Sequence, residues 1–474
     1  MKVWIVCFAH EAGAWEEAAS NLRSSGLMAF VGCVRDAAKG SLVRAVLGSE
    51  ERWMGRKHRT GPIPAPQDFS PDIIVDLAGM IGLTNVPILR FEVNGQRQLD
   101  AGLASLRSNL DQTTVVAYLD DEPVAHAFPM ISQQTFLSHN RDELYAAVQA
   151  LIVQVTARHA AGALRGVKCA DTPRARGIFA LAYTAGVVRG LCRRTITKTV
   201  LQRRPFYWQT AWRWTGRSAI ADTLQLDGPP FRILPDDGQR FYADPFAFVH
   251  EDRHYLFVEE YPYEEAKGVI SVAEVEANGS FGVPRRVLEE DYHLSYPNVF
   301  RCDGQVFMLP ESGDAQELVL YRCEAFPDTW IRHAVLISGR SINDATLVKL
   351  NDRIWMFATE RFGSGSASDT MVVYSAQKLD GPWLPHRFNP ILIDRAGARP
   401  GGQVIERNGR LFLPVQDGTK TYGGGLGLRQ IVQLDDTDVV LGPVLSIAEG
   451  PAWARCGIHT LNRAGLLEVV DSTG

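Results

Sequence analysis

The chain is short of several features that would point at once to a function class. Its seven cysteines are odd in number, scattered from Cys7 to Cys456, and form no CxxC or Cys/His cluster, which excludes a zinc ribbon and reads as reduced thiols. No apolar run approaches the roughly 18 residues of a bilayer-crossing helix. The start reads as a strand and turn (Val3 to Ala9, then His10, Glu11, Glu16 and Glu17) rather than a secretory leader, so the expected location is cytoplasmic. Charge of either sign is nearly balanced, 49 basic against 54 acidic residues, and no nucleic-acid partner is expected. Against these absences stand 474 residues, 46% of them apolar, with 42 glycines and 25 prolines in no Gly-X-Y period. That length suits two domains, and so many turn residues suit an all-β repeat.

Residues 1–165 alternate strand and helix signals. Lys2 to Phe8 and Leu27 to Val34 are apolar runs around a helical stretch, Trp15 to Arg23, which predicts a parallel sheet. Further strands are expected at Ile73 to Leu77, Val86 to Val93, Thr114 to Tyr118 and Ala125 to Ile131. Leu144, Val148, Leu151, Ile152 and Val155 place one apolar stripe on a long helix from Arg141 to His159. The fold class is therefore multidomain, beginning with an α/β, Rossmann-like domain. With "PDIIVDLAG" (Pro71 to Gly79) and "TTVVAYLDDEPVAHAFPMI", this stretch resembles the formyltransferase fold of methionyl-tRNA and amino-sugar formyltransferases. The resemblance implies formyl-tetrahydrofolate as cofactor if the domain is active. Asn94 is the relic of that family's Asn-x-His pair, with no histidine beside it, and Asp120 or Asp121 fills the later acidic position.

Residues 166–228 read as a linker. From Pro173 to Arg217 there are ten basic residues and no Asp or Glu, leaving 39 basic against 54 acidic residues elsewhere. Arg193, Arg194, Arg203 and Arg204 with Trp208 and Trp212 form a candidate contact for an anionic membrane surface, peripheral on the inner membrane. The competing reading is a linker helix, Gly177 to Val200, docked on its apolar face.

Residues 229–474 repeat. "ADPFAFVHEDRHYLFVEE", "SYPNVFRCDGQVFMLPES", "NDATLVKLNDRIWMFATE", "RPGGQVIERNGRLFLPVQD" and the shorter "GIHTLNRAGLLEVVDS" share a hairpin pattern, with Asp244, Tyr296, Asp344, Gly401 and His459 as equivalent markers. A third and fourth strand follow each hairpin, which predicts a five-bladed all-β propeller. The last blade is expected to borrow strands from Pro229 to Gln239. Propeller geometry brings the starts of inner strands and the ends of second strands to one end of the axis. A funnel is therefore expected from Asp244, Tyr296, Asn298, Asn343, Asp344, Arg399 and His459 with Glu260, Glu311, Glu360, Gln416 and Asp417. Paired carboxylates in different surroundings are what glycosyl chemistry uses.

These repeats, with "YADPF", "INDATL" and "GIHTL", resemble the five-bladed superfamily of arabinanases, β-xylosidases and invertases, and more closely the propeller part of glucosamine inositolphosphorylceramide transferase proteins. The resemblance implies Asp244 as base or nucleophile, with Asp344 or Glu311 as acid. It also implies sugar contacts from the other funnel residues, and Ca2+ or a water at the propeller centre near His459. The chain departs from the glycosidase pattern at Tyr296, where an Asp is usual, and at Asp344, where a Glu is usual. The expected function is glycosyl transfer in glycolipid or surface-polysaccharide synthesis, by a glycosyltransferase or glycoside-hydrolase-like enzyme. Its partners would be a sugar or nucleotide sugar and a glycan or lipid-linked acceptor. Alternatives are amino-sugar N-formylation by the first domain and a non-catalytic glycan-binding scaffold.

Overall fold

The computed structural model describes residues 1–24, 26–34, 41–54, 63, 65–106, 112–132, 135–168, 179–195, 207–216, 219–453 and 457–473. The chain forms two compact units. One is Met1–Arg203 with Phe362–Ser366 and Phe388–Asp394; the other is Arg204–Arg361 with Ala367–Arg387 and Arg395–Gly474.

The first unit runs β1 (Lys2–Phe8), α1 (Ala12–Ser24), β2 (Met28–Val34), α2 (Leu42–Trp53), β3 (Ile73–Asp76), β4 (Ile88–Val93), α3 (Leu99–Leu106), β5 (Val115–Leu119), β6 (Glu122–Ala127), α4 (Leu137–Ala160) and α5 (Phe179–Thr195). Its sheet has the order β2-β1-β3-β4-β5-β6. Pairing is parallel through β4 and antiparallel beyond it. Parallel strands are covered on both faces, which is why β3 is apolar and buried almost throughout. The β5–β6 hairpin turns on Asp120 and Asp121, both left-handed at φ 49° and 70°, the conformation a two-residue turn needs to match strand twist. The stripe from Leu144 to Val155 is buried on α4 as its spacing predicts. Sequence reading missed α2 and α3, whose apolar faces are only a turn or two long. Asn94 does not act as a free amide: its Nδ2 donates to Ser105 Oγ at 3.1 Å and its Oδ1 accepts Thr114 N–H at 2.9 Å. Asp120 Oδ1 likewise accepts Ile88 N–H at 2.9 Å. Asn94 and Asp120 are thus engaged in structural bonds, while Asp121 is exposed, 4.0 Å from Arg97.

The second unit is a five-bladed β-propeller. Its first four blades begin on inner strands Arg240–His250, Ser295–Cys302, Ile342–Leu350 and Ile405–Arg407, each leading a meander of at least four antiparallel strands. The fifth is assembled from both ends of the unit, in the order Ile458–Ala464, Leu467–Thr473, Trp208–Trp214, Arg232–Ile233. Arg232–Ile233 falls in the segment expected to complete that blade. Trp208–Trp214 does not, and it corrects the linker: it pairs along its whole length with Leu467–Thr473. Joining early and late segments closes the ring of blades.

This closure overturns two membrane candidates. Trp208 and Trp212 are only 6% and 3% exposed, and Trp212 packs edge-on against Phe281 at 5.1 Å. Their indoles fill the space between blades rather than reaching for lipid. Arg193 and Arg194 lie on α5, with side chains outside the described set, and Arg203 and Arg204 lie outside the described residues.

Candidate functional site at the propeller axis

The same irregularity opens four of the five inner strands. Strand pairing jumps from Ala243 to Phe246 against a single extra residue, Val258. It jumps likewise across Tyr296–Pro297, Asp344–Ala345 and His459–Thr460. Two residues opposing one is a β-bulge, which bends the strand and re-aims a side chain. At three of these bulges the first extra residue is left-handed, with φ of 48° at Asp244, 47° at Tyr296 and 50° at Asp344. Such values are strained for residues with a Cβ and recur at functional positions. In the fourth blade Gly402 takes φ 142°, and a Cβ there would stand 2.1 Å from Leu461 O. Only glycine lets that turn approach the fifth blade so closely.

The bulged residues meet across blade boundaries. His459 Nδ1 lies 2.7 Å from Asp471 Oδ1 and its Nε2 3.2 Å from Asp244 Oδ1. Asp471 sits opposite the His459 bulge, and its carboxylate also accepts the backbone N–H groups of Asp244 at 2.8 Å and Thr460 at 2.9 Å. Burial opposes charge on the imidazole, but Asp471 and Asp244 outweigh it and lift His459 to about 8. Burial raises Asp244 to about 7, with His459 pulling the other way. Asp471 is held below the usual carboxylate range despite its burial, because His459 and these donors favour its charge. Two groups raised toward neutrality, the imidazole and Asp244, thus stand 3.2 Å apart, with Asp471 favoured as the anion.

On the other side of the axis Asp344 Oδ2 accepts Arg399 Nε–H at 2.6 Å and Gln416 Nε2–H at 2.7 Å, and Oδ1 accepts Arg399 Nη2–H at 3.2 Å. Arg399 Nη2 also donates to Glu311 Oε2 at 3.0 Å. Burial lifts Asp344 to about 7 against the pull of Arg399. Tyr296, wholly buried, accepts Gly402 N–H on its phenol oxygen at 2.7 Å and stands 2.8 Å from Thr346 Oγ1, while its own N–H donates to Asp244 Oδ2 at 3.1 Å. Asn298 donates to Ala345 O at 3.0 Å, so it ties blade two to blade three.

Six sequence-derived residues therefore converge: Asp244, Tyr296, Asp344, Arg399, Gln416 and His459, with Glu311 at their edge. Others are spent elsewhere. Glu260 pairs with Arg240 and Ser271, and Glu360 with Arg340 at 2.7 Å. Asn343 donates to backbone carbonyls of Ser341 and Thr359, and Asp417 accepts Thr419 N–H in its own loop.

Sequence reasoning missed four participants. Burial, then the charges of Asp244, Glu311, Asp471 and Asp344, push the Glu259 carboxyl well above its ordinary range; it touches His293 Nε2 at 3.3 Å. Taking the last residue of the second strand picks Glu260, whereas it is the preceding Glu259 that feels the charges of the cluster. Asp471 is hidden in an apolar strand. Trp208 stacks on the His459 ring at 4.0 Å, and Tyr422 meets both rings edge-on while Arg399 lies over its face. Among the described residues one donor set converges tightly enough for a metal, Asp244, His459 and Asp471, within 4.8 Å of one another. Two carboxylates and a nitrogen suit Ca2+ poorly, since it takes six to eight oxygens.

The fold and cluster define a five-bladed propeller with titratable carboxylates gathered on its axis. Residues 236–455 match the family described as glucosamine inositolphosphorylceramide transferase 1, N-terminal. The protein of that name from Oryza sativa subsp. indica is 35% identical over 232 residues, 47% of this chain and 31% of the relative. The Arabidopsis thaliana protein is 33% identical over 196 residues, 40% of this chain and 25% of the relative. The chain thus spans a quarter to a third of the length of these relatives. Solved structures with similarity include a family 117 glycoside hydrolase produced by Zobellia galactanivorans (TM-score 0.37, 10% identity, 56% of this chain and 90% of that one). Another is an exo-β-1,3-galactanase from Phanerochaete chrysosporium (TM-score 0.35, 11% identity, 44% and 51%).

Proposed function

We propose that this chain is a carbohydrate-active enzyme that transfers a glycosyl group in glycolipid synthesis, with its sugar held in the propeller funnel. The named relatives support the substrate class. What carries the chemistry is the gathering at the axis of Asp244, 3.2 Å from His459 and raised to about 7, with Glu259, whose carboxyl burial and four neighbouring acids push well above its ordinary range. An ionisable carboxylate and a neutral carboxylic acid beside one another are the two groups a glycosyl transfer needs. Asp244 would act as base or nucleophile. Glu259 serves as acid more readily than Asp344, both of whose oxygens are engaged by Arg399 or Gln416. Tyr422, 38% exposed, offers an aromatic ring beside His459 against which a pyranose packs. Incubation of the full chain with nucleotide sugars and inositol-phospholipid acceptors should give a glycosylated lipid. Asp244→Asn and Glu259→Gln should each lower the rate on the order of 10³-fold. Unchanged turnover in both variants would sink the assignment.

A second reading is a glycan-binding propeller without chemistry. It is favoured by Tyr296 at a position where the related glycosidases carry an acid, and by a match confined to a region described as N-terminal in much longer relatives. In that case sugars bind, measured by calorimetry, and are recovered unchanged. Formyl transfer by the first unit is not carried forward, because both amide atoms of Asn94 are engaged in the sheet.

A further inference from the structure

We propose that α5 is an interfacial helix that docks the protein on an anionic lipid surface. No helix among the described residues is long and apolar enough to cross a membrane, so contact would be made from outside. The orientation of α5 is fixed by its inner face. Phe179 and Tyr183 pack on the core of the first unit, and Tyr183 OH donates to Glu50 Oε1 at 2.6 Å. A Cβ at Gly190 would stand 2.5 Å from Thr135 Oγ1, so the helix lies tight against that residue. Positions 179, 183 and 190 are one helical stripe. Leu181, Ala185, Val188 and Cys192 form the opposite one, at the same i, i+4, i+7, i+11 spacing, and they face solvent, with Leu181 67% and Val188 55% exposed.

An apolar stripe left in water beside an exposed arginine needs an explanation. Arg189 is exposed next to the stripe, and Arg193 and Arg194 follow in the same helix. The surrounding sequence from Pro173 to Arg217 carries no acid and ten basic residues, one of which, Arg213, is buried against Glu468 in the propeller and takes no part. A protein partner would have to bring both an apolar groove and an acidic rim. An anionic bilayer supplies both at once, acyl chains for the stripe and headgroups for the arginines. The seventeen residues of α5 span about 25 Å at 1.5 Å per residue, long enough to lie flat in the headgroup layer. The tryptophans first suspected, Trp208 and Trp212, play no part. This docking does not depend on the reading of the funnel, though a surface-bound enzyme is well placed for a lipid acceptor.

The test is flotation of the full chain with phosphatidylcholine vesicles with and without phosphatidylglycerol. Binding is expected to the anionic vesicles only and to weaken as salt is raised. Leu181→Ser with Val188→Ser should reduce partitioning by roughly tenfold or more, and Arg189→Ala by about fivefold. The melting temperature should not move in either variant, because these side chains touch solvent in the folded chain. Three results would overturn the proposal: no flotation at low salt; flotation that the double serine variant leaves unaltered; or a dimer that the same variant dissociates while vesicles bind neither form.

Discussion

Two sides of the propeller axis solve one problem with different chemistry. Each buries a carboxylate on a bulged, left-handed inner-strand residue, and each supplies a cation from a later blade. Asp244 receives His459, whose charge is itself titratable, whereas Asp344 receives Arg399, whose charge is permanent. The first pair can exchange a proton near neutral pH; the second can only hold one geometry. The arrangement assigns chemistry to the Asp244 side and scaffolding to the Asp344 side. It also explains why Asp344 draws in Gln416 and Glu311 through or around Arg399, linking blades two, three and four.

The largest effect expected from breaking this asymmetry is loss of Arg399. Arg399→Met leaves Asp344 and Glu311 buried without their cation, and removing one partner of a buried pair costs about 3 kcal/mol or more. Since Asp344 lies at about 7 even with Arg399 present, it takes up a proton readily once the guanidinium is gone. The loss should therefore be largest near pH 8 and clearly smaller near pH 5.5, read by urea unfolding at both values. A pH-independent loss would place the scaffolding role elsewhere.

The His459 side should instead show itself in the slope of stability with pH. His459 is raised to about 8 from 6.5, so its contribution is complete below about 6.5 and disappears as pH rises through about 8. Asp244, raised to about 7 from 3.8, acts in the same direction: its contribution is complete below about 3.8 and is lost as pH rises through about 7. Stability of the propeller should therefore fall between pH 5.5 and 8.5. His459→Gln should flatten that fall by about 1–2 kcal/mol, as expected for a shift of this size in a buried group. An equal slope in wild type and variant would remove His459 from the proton-sharing pair.

A smaller effect on stability is expected from Asp244→Asn. The amide oxygen can still accept Tyr296 N–H, the bond that joins blades one and two, and the backbone bond from Asp244 N–H to Asp471 is untouched. The neutral side chain no longer faces the imidazolium, so the net change should stay within about 1 kcal/mol while turnover collapses. A large loss of melting temperature would instead make Asp244 a structural residue like Asp344.

The repeat period and the bulged positions were legible in the sequence because turn chemistry and alternation repeat together: Asp244, Tyr296, Asp344 and His459 all stand at the same point of the pattern. Partners across blades were not legible, because a propeller brings together residues far apart in sequence, 55 positions for Arg399 and Asp344 and 227 for Asp471 and Asp244, and nothing local marks either pair. Taking the last acid of each second strand as the funnel residue is how Glu260 was preferred to Glu259, and no local signal separates two adjacent glutamates. The basic, aromatic stretch misled for a compositional reason. Indoles between blades and indoles at a bilayer surface look alike in sequence, and only strand pairing with Leu467–Thr473 separates Trp208 and Trp212 from the arginines that precede them.

The smallest effect expected is at the Arg340–Glu360 pair of blade three, which sharpens the comparison by serving as its control. Its bond length, 2.7 Å, is close to that of Arg399 with Asp344, so geometry alone predicts equal importance. The Arg340 side chain, however, is 47% exposed where that of Arg399 is 8% exposed. Water reaches the Arg340 guanidinium and screens the first pair from that side, although the Glu360 carboxylate is only 11% exposed; at the axis both partners are shut away. Arg340→Ala should therefore cost clearly less than Arg399→Met, with no change in turnover, measured beside it under the same conditions. Equal losses in the two variants would mean that burial at the axis does not set the energetics of the cluster, and the division into a proton-sharing side and a scaffolding side would fall with it.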